Sequence, residues 1–183
     1  MSQTPRAPEP VFTHGDWVQI YVDPDPAGGP GFIRIEERFG APGVGVLPIS
    51  RDGVGLISVY RRTIGISVLE IPRGFGGEGT GPRSDAVREL WEETGLTVAE
   101  EDLVDLGEVH PNSGLLAAKV CLFAANISDP KQAEVHDLDE IETFRWISTA
   151  DLKGMIADNV LKDSFTIAAI FRACLRGLLS LNR

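Results

Sequence analysis

Apolar positions along the chain fall first at alternate residues, then in unbroken runs, then at helical spacing. Residues 16–22 (DWVQIYV) and 32–39 (FIRIEERF) alternate polar and apolar side chains on either side of DPDPAGGPG, which predicts a β-hairpin with a long turn. Residues 44–49 and 54–60 (VGLISVY) are strand-like runs joined by SRDG, whose Asp-Gly pair suits a tight turn. A strand over 67–71 ends at Pro72, because the residue before a proline is biased away from helix. A glycine-rich loop begins at Gly74. From Ser84, the expected N-cap, to Thr94 the pattern is helical, and Gly95 stands where a left-handed C-terminal residue is wanted. Strands are predicted over 103–109, 117–125 and 143–147, and helices over 151–156 and 164–181. In the last helix Ile167, Ile170, Phe171, Cys174, Leu178 and Leu181 share one face, with Arg172 and Arg176 opposite.

With 183 residues, 43% of them hydrophobic, these elements suffice for one compact domain with a sizeable core. The opening MSQTPRAPEP is polar and proline-rich, which predicts a flexible tail over 1–11 and no targeting signal. No stretch supplies the roughly 20 apolar residues of a membrane span, so a soluble, cytoplasmic protein is expected. A net charge of −10 argues against non-specific grip on nucleic acid or an anionic membrane, since both need a basic surface. An anionic ligand would need a cation to mediate its binding. Cys121 and Cys174 lie in apolar stretches without ligand spacing and read as buried thiols in a reducing compartment. His14, His110 and His136 likewise show no ligand spacing.

The candidate chemistry lies in 74–96, GFGGEGTGPRSDAVRELWEETGL. At about 100° per residue, Glu89, Glu92 and Glu93 share roughly one third of the helix circumference, while Val87, Leu90, Trp91 and Thr94 occupy the other side. Taken alone, three glutamates at this spacing also describe a solvated charged face. Beside a backbone-rich glycine loop they offer hard oxygen ligands for Mg²⁺, with Mn²⁺ as an alternative, and such an ion keeps waters and bridges to phosphates.

The segment resembles the Nudix hydrolase signature, G-x5-E-x7-R-E-U-x-E-E-x-G-U, where U is a bulky aliphatic residue. Gly74, Arg88, Glu89, Leu90, Glu92, Glu93, Gly95 and Leu96 all fall in register. One position departs: Thr80 stands where the first glutamate belongs, which bears on metal affinity and rate, and Glu78 in the same loop is a candidate substitute. The resemblance implies a Nudix-type α/β/α sandwich with a mixed sheet, preceded by an N-terminal β-hairpin. A single domain over 12–183 would divide into hairpin (12–40), core (41–149) and C-terminal helices (150–183). It further implies metal ligation by Glu89, Glu92 and Glu93, completed by the carbonyl of Arg73 or Gly74, with Arg88 orienting a carboxylate through its planar fork of donors.

Three flanking features resemble the ADP-ribose and nucleotide-sugar pyrophosphatases of that family. They are the lead-in Glu70-Ile71-Pro72-Arg73-Gly74, Pro111 downstream of the signature, and Val59-Tyr60-Arg61-Arg62 after an apolar strand. The resemblance implies Mg²⁺-assisted attack of water on a pyrophosphate, giving a nucleoside monophosphate and a phosphorylated group. Arg61 or Arg62 would position the diphosphate. The acidic link 126–142 would supply the general base from Glu134, Glu140 or Glu142, with Glu140 favoured by the run Asp139-Glu140-Ile141-Glu142. Trp17 either stacks on a base or packs in the core. The expected partners are a nucleotide-type small molecule and a second copy in a homodimer, with no nucleic acid and no membrane. The alternatives are hydrolysis of nucleoside triphosphates or dinucleoside polyphosphates, and a non-catalytic nucleotide-binding regulator.

Overall fold

The computed structural model describes residues 9–77, 79–137 and 140–181. Three strands form an N-terminal antiparallel sheet: β1 (Phe12–His14), β2 (Val18–Asp23) and β3 (Phe32–Glu37). The expected hairpin is the β2–β3 pair, in register from Val18 opposite Glu37 to Asp23 opposite Phe32, and β1 adds a strand that the pattern did not announce. Asp25 builds its turn by accepting the N–H groups of Ala27 at 2.8 Å and Gly29 at 3.1 Å.

The second sheet has seven strands: β4 (Gly43–Ser50), β5 (Gly53–Arg61), β6 (Ile66–Glu70), β7 (Arg73–Phe75), β8 (Val104–Val109), β9 (Val120–Asn126) and β10 (Ile141–Ile147). Its central path runs β10-β5-β4-β9-β8, with the β4–β9 pair parallel and the others antiparallel, so the mixed sheet is as expected. Along β4 and β9, side chains two apart point to one face. Val44, Val46, Phe123 and Ala125 meet α1 (Pro82–Thr94) through Ala86 and Leu90. Leu47, Leu122 and Ala124 meet α2 (Thr149–Ala157) and α3 (Ser164–Leu175) through Leu152, Ala169, Ile170 and Ala173. Each fully buried leucine in these layers contributes about 1.5–3 kcal/mol. The result is the α/β/α sandwich. Among the described residues no helix is long and apolar enough to cross a membrane.

Several boundaries differ from the sequence reading. Helix α1 begins with Gly81 as N-cap and Pro82 at its first position, ahead of Ser84, because proline lacks an N–H and presets the helical φ. It ends as expected, with Gly95 at φ +67°. Helix α3 stops at Leu175 instead of 181. Gly177 takes φ +71° and the Leu178 N–H reaches back to the Ala173 carbonyl, a Schellman stop. Its buried face runs through Thr166, Ala169, Ile170 and Ala173, and Phe171 is 62% exposed, so the expected apolar face is rotated. Trp91 is also out of the core, lying edge-on to the His136 ring. Cys121 and Cys174 are free and only half-buried, and burial pushes both thiol pKa values up.

The sheet delivers the glycine loop through a splay. β4 and β5 pair only at their turn, Ile49 opposite Val54 and Ser50 opposite Gly53. Beyond it β6 joins β5 and β7 joins β4, so the chain crosses the gap at Ile71-Pro72. The crossing is pinned from α3: the buried Ile71 N–H donates to Thr166 Oγ1 at 2.9 Å, and that hydroxyl lies 2.7 Å from Asp163 Oδ2, the α3 cap. Thr166→Val keeps the shape but leaves the Ile71 N–H buried without an acceptor. It should cost about 1–3 kcal/mol in urea unfolding, whereas a midpoint matching wild type would show that the pin does not hold the crossing.

Candidate active site

The splay, α1 and the N-terminal sheet enclose a cavity of about 770 Å³. Its floor is β7 with the acidic side of α1, and its rim carries Trp17, Arg38 and Pro111. The Pro111 loop is fixed to the N-terminal sheet because Ile35 exchanges backbone hydrogen bonds with Leu115 and Ala117. One site thus draws on both sheets.

All three helix glutamates line this cavity, in different environments. Glu92 is the outermost, with its side chain 43% exposed, and Glu89 is 12% exposed. Glu93 is buried, and its Oε2 accepts the backbone N–H of Arg73 at 2.8 Å. Burial pushes the Glu93 pKa up to about 9, with the Arg73 N–H opposing the shift and the Glu89, Glu140 and Glu70 charges adding to it. Burial raises the Glu89 pKa as well, against the pull of Arg88. Arg88 spans the group. Nη1 donates to Glu92 Oε2 at 2.6 Å, and Nη2 donates to the Phe75 carbonyl at 2.9 Å and lies 2.8 Å from Glu89 Oε1. Gly74 leaves room for the Glu89 carboxylate, which a Cβ there would force to shift.

A second charged group faces the helix. Glu70, wholly buried at the end of β6, pairs with Arg61 through both carboxylate oxygens and accepts from Arg73 Nη2 at 3.1 Å. Burial lowers the Arg61 pKa, but the hydrogen bond and charge of Glu70 more than offset it, so the guanidinium is held above its ordinary value. In the sequence Glu70 stands out only as the first residue of the lead-in Glu70-Ile71-Pro72-Arg73-Gly74, which gives no sign of its pairing with Arg61. Arg73 also stacks toward Phe165 of α3, 5.1 Å from the ring centre, so its side chain as well as its backbone faces the cavity.

The remaining expected residues divide by position. Arg61 lines the cavity, whereas Arg62 is exposed in the turn after β5 and does not. Of the three base candidates, Glu140 lines the cavity, 3.5 Å from Arg61 Nη1. Glu134 lies at the end of α1, its N–H donating to the Thr94 carbonyl. Glu142 falls where the β10 register shifts, and it accepts from Ser58 Oγ at 2.7 Å and Ser67 Oγ at 2.9 Å, outside the cavity. Trp17 is at the mouth, 53% exposed, with the Arg38 guanidinium 3.6 Å above its ring, so one face is taken and core packing is excluded. Thr80 stays within the loop, 2.7 Å from Asp85 Oδ1. Glu78 and Asp139 lie outside the described residues.

Among the described residues no three His, Cys, Asp or Glu side chains converge to hold an ion by themselves. The donor set nonetheless fits Mg²⁺ or Mn²⁺, because such ions use one or two carboxylates and complete their shells with water and phosphate oxygens. Glu89 and Glu93 could supply the carboxylates, and the Arg73–Gly74 backbone lines the same cavity. A carboxylate that burial keeps protonated is one whose ionised form a cation stabilises. The folded protein holds the Glu93 proton up to about pH 9, while the unfolded chain releases it in the ordinary carboxylate range. The stability contributed by protonated Glu93 is therefore full at acid pH and lost as pH rises toward that value. With chelator present, Tm should fall between about pH 5 and pH 9, and Glu93→Gln should remove most of the fall. A variant that follows the wild-type slope would show that this carboxylate is not its source.

Residues 40–167 match the family model described as NUDIX domain. The chain is 27% identical over 168 residues to a protein named ADP-ribose pyrophosphatase from Bacillus subtilis (strain 168), covering 90% of this chain and 88% of that one. It is 28% identical over 166 residues to one named methanol dehydrogenase activator from Bacillus methanolicus, covering 88% and 87%. It also matches proteins named RNA pyrophosphohydrolase from Cereibacter sphaeroides, at 36% identity over 63 residues, which is 34% of this chain and 38% of those. With the family match spanning most of the chain and the signature glutamates gathered on one cavity, the chain belongs to the Nudix family and is a Nudix pyrophosphohydrolase.

Proposed function

We propose that the enzyme hydrolyses the pyrophosphate bond of ADP-ribose or a nucleotide sugar with Mg²⁺, or Mn²⁺, as the metal. The observation that carries this reading is Arg61, anchored to the wholly buried Glu70 and lining the same cavity as the α1 carboxylates. A guanidinium held by a buried carboxylate is a fixed donor, suited to orient a diphosphate whose other oxygens face the helix. The whole-length match to a protein named ADP-ribose pyrophosphatase supports the substrate class. The match to proteins named RNA pyrophosphohydrolase covers about a third of the chain, and the net charge of −10 disfavours a polyanionic substrate.

A bound divalent cation supplies neutralisation of phosphate charge and a lowered pKa for an attacking water. The protein's own groups do the rest. Glu89 and Glu93 present the buried carboxylates, Glu92 stands at the outer edge, and Arg88 pairs with both Glu89 and Glu92. Glu140, exposed at the rim beside Arg61, takes the proton of the water. The water oxygen bonds to one phosphorus, the bridging P–O bond on that phosphorus breaks, and the bridging oxygen leaves with the other phosphoryl group. Trp17 and Arg38 at the mouth offer a flat, cationic surface to the base.

Incubation with ADP-ribose, nucleotide sugars, dinucleoside polyphosphates, triphosphates and 5′-triphosphorylated RNA, each with Mg²⁺ or Mn²⁺, should give the highest kcat/KM on the first two. The products from ADP-ribose are AMP and ribose 5-phosphate. Glu140→Gln should lower kcat by about 10²–10⁴ with KM little changed. Preferential turnover of triphosphates or RNA would displace the proposed substrate class, and an unimpaired Glu140→Gln enzyme would remove Glu140 as the base.

A further inference from the structure

Asp85 is a buried carboxylate on α1 that the reaction above does not use. It is 3% exposed. Its Oδ1 accepts the Gly77 N–H at 2.9 Å and lies 2.7 Å from the Thr80 hydroxyl, which is itself 2.9 Å from the Gly77 carbonyl oxygen. Asp85 Oδ1 thus accepts the Gly77 N–H, and the single Thr80 hydroxyl proton is shared between Asp85 Oδ1 and the Gly77 carbonyl oxygen. The loop rests on Asp85 as closely as glycine permits, since a Cβ on Gly76 would meet Asp85 Oδ2 and the Pro42 carbonyl oxygen, each at 3.0 Å. On its other side, Asp85 Oδ1 is 3.7 Å from Arg88 Nη2, the nitrogen that also contacts Glu89 and the Phe75 carbonyl.

We propose that Asp85 and Thr80 form a clasp that fixes the glycine loop on the first turns of α1 and, through Arg88, sets the position of Glu89, making Asp85 a positioning residue of the metal site. The chain thus takes from residue 85 the carboxylate that the family signature places at residue 80. The charge logic is local. Arg88 is shared by Asp85, Glu89 and Glu92, and removing the first leaves the guanidinium free to move toward the other two. The Gly77 N–H loses its acceptor at the same time, so the loop that lines the cavity beside Glu89 is released.

This inference rests on the reading of Glu89 and Glu93 as metal ligands, and two measurements separate the two. In the metal-free protein, amide exchange at Gly77 should be at least about tenfold faster in Asp85→Ala than in wild type, because the exchanging N–H is no longer bonded. In Mn²⁺ titrations by calorimetry, Asp85→Ala should bind about tenfold more weakly, as groups that hold a ligand in place typically do when lost. The double variant Asp85→Ala/Thr80→Glu returns a carboxylate to the loop and should recover most of that affinity, which a general loss of structure would not allow. If Asp85→Ala does not fold, Thr80→Val removes only the hydroxyl and should still speed Gly77 exchange and weaken Mn²⁺ binding several-fold. Unchanged Gly77 exchange overturns the clasp. Accelerated exchange with wild-type Mn²⁺ affinity, or no recovery in the double variant, overturns its role at the metal site. Failure of the wild-type protein to bind Mn²⁺ overturns the metal-site reading itself, and the positioning role with it.

Discussion

The Glu93 carboxylate is buried against the backbone of Arg73, and much of the site follows from that contact. The 2.8 Å bond from the Arg73 N–H ties α1 to the segment that has just crossed from β6 to β7. The crossing is held from behind by Thr166 and from the sheet by the Val46 N–H on the Pro72 carbonyl. Both helix layers therefore bear on the same few residues, α1 from the cavity side and α3 from the other. Burying a carboxylate so deeply is unfavourable to its ionised form, which is why its pKa rises to about 9.

Around this contact the charges are arranged in two opposed sets. On the helix, Arg88 is surrounded by Asp85, Glu89 and Glu92. On the sheet, Glu70 is flanked by Arg61 and Arg73. In the first set one cation is shared by three carboxylates; in the second both arginines converge on the one wholly buried carboxylate, with Glu140 beside Arg61 and Asp163 beside Arg73. Arg61, the last residue of β5, is held toward the cavity by the wholly buried Glu70, whereas Arg62 already lies in the turn beyond the strand and is exposed.

The parts of this arrangement that were legible in the sequence are those written in local periodicity. The α1 glutamates share a face because of helical spacing, Gly95 ends the helix because it can adopt a positive φ, and the runs at β4, β5 and β9 are apolar because both of their faces are covered. What escaped depends on pairings between distant residues. The depth of Glu70 follows from β5 and α3, not from its neighbours in sequence. Among the acids of 126–142, Glu142 is removed from the cavity by the β10 irregularity and captured by Ser58 and Ser67, which no local pattern announces. The early stop of α3 lies in a single glycine inside an otherwise continuous amphipathic run, and tertiary contacts decide that Gly177 breaks the helix. Asp85 draws no reading from the sequence, because its burial depends on the loop that lies on it.

The central claim, that the buried end of α1 is a divalent-metal platform facing the diphosphate-binding arginine, is tested most directly by anomalous scattering from crystals grown with Mn²⁺ and a non-hydrolysable diphosphate analogue. The account predicts an anomalous peak within about 2.5 Å of carboxylate oxygens of Glu89 and Glu93, with the analogue's phosphate oxygens between that peak and Arg61. A peak elsewhere in the cavity with both glutamates still on their protein partners, or none beside a bound analogue, would contradict it.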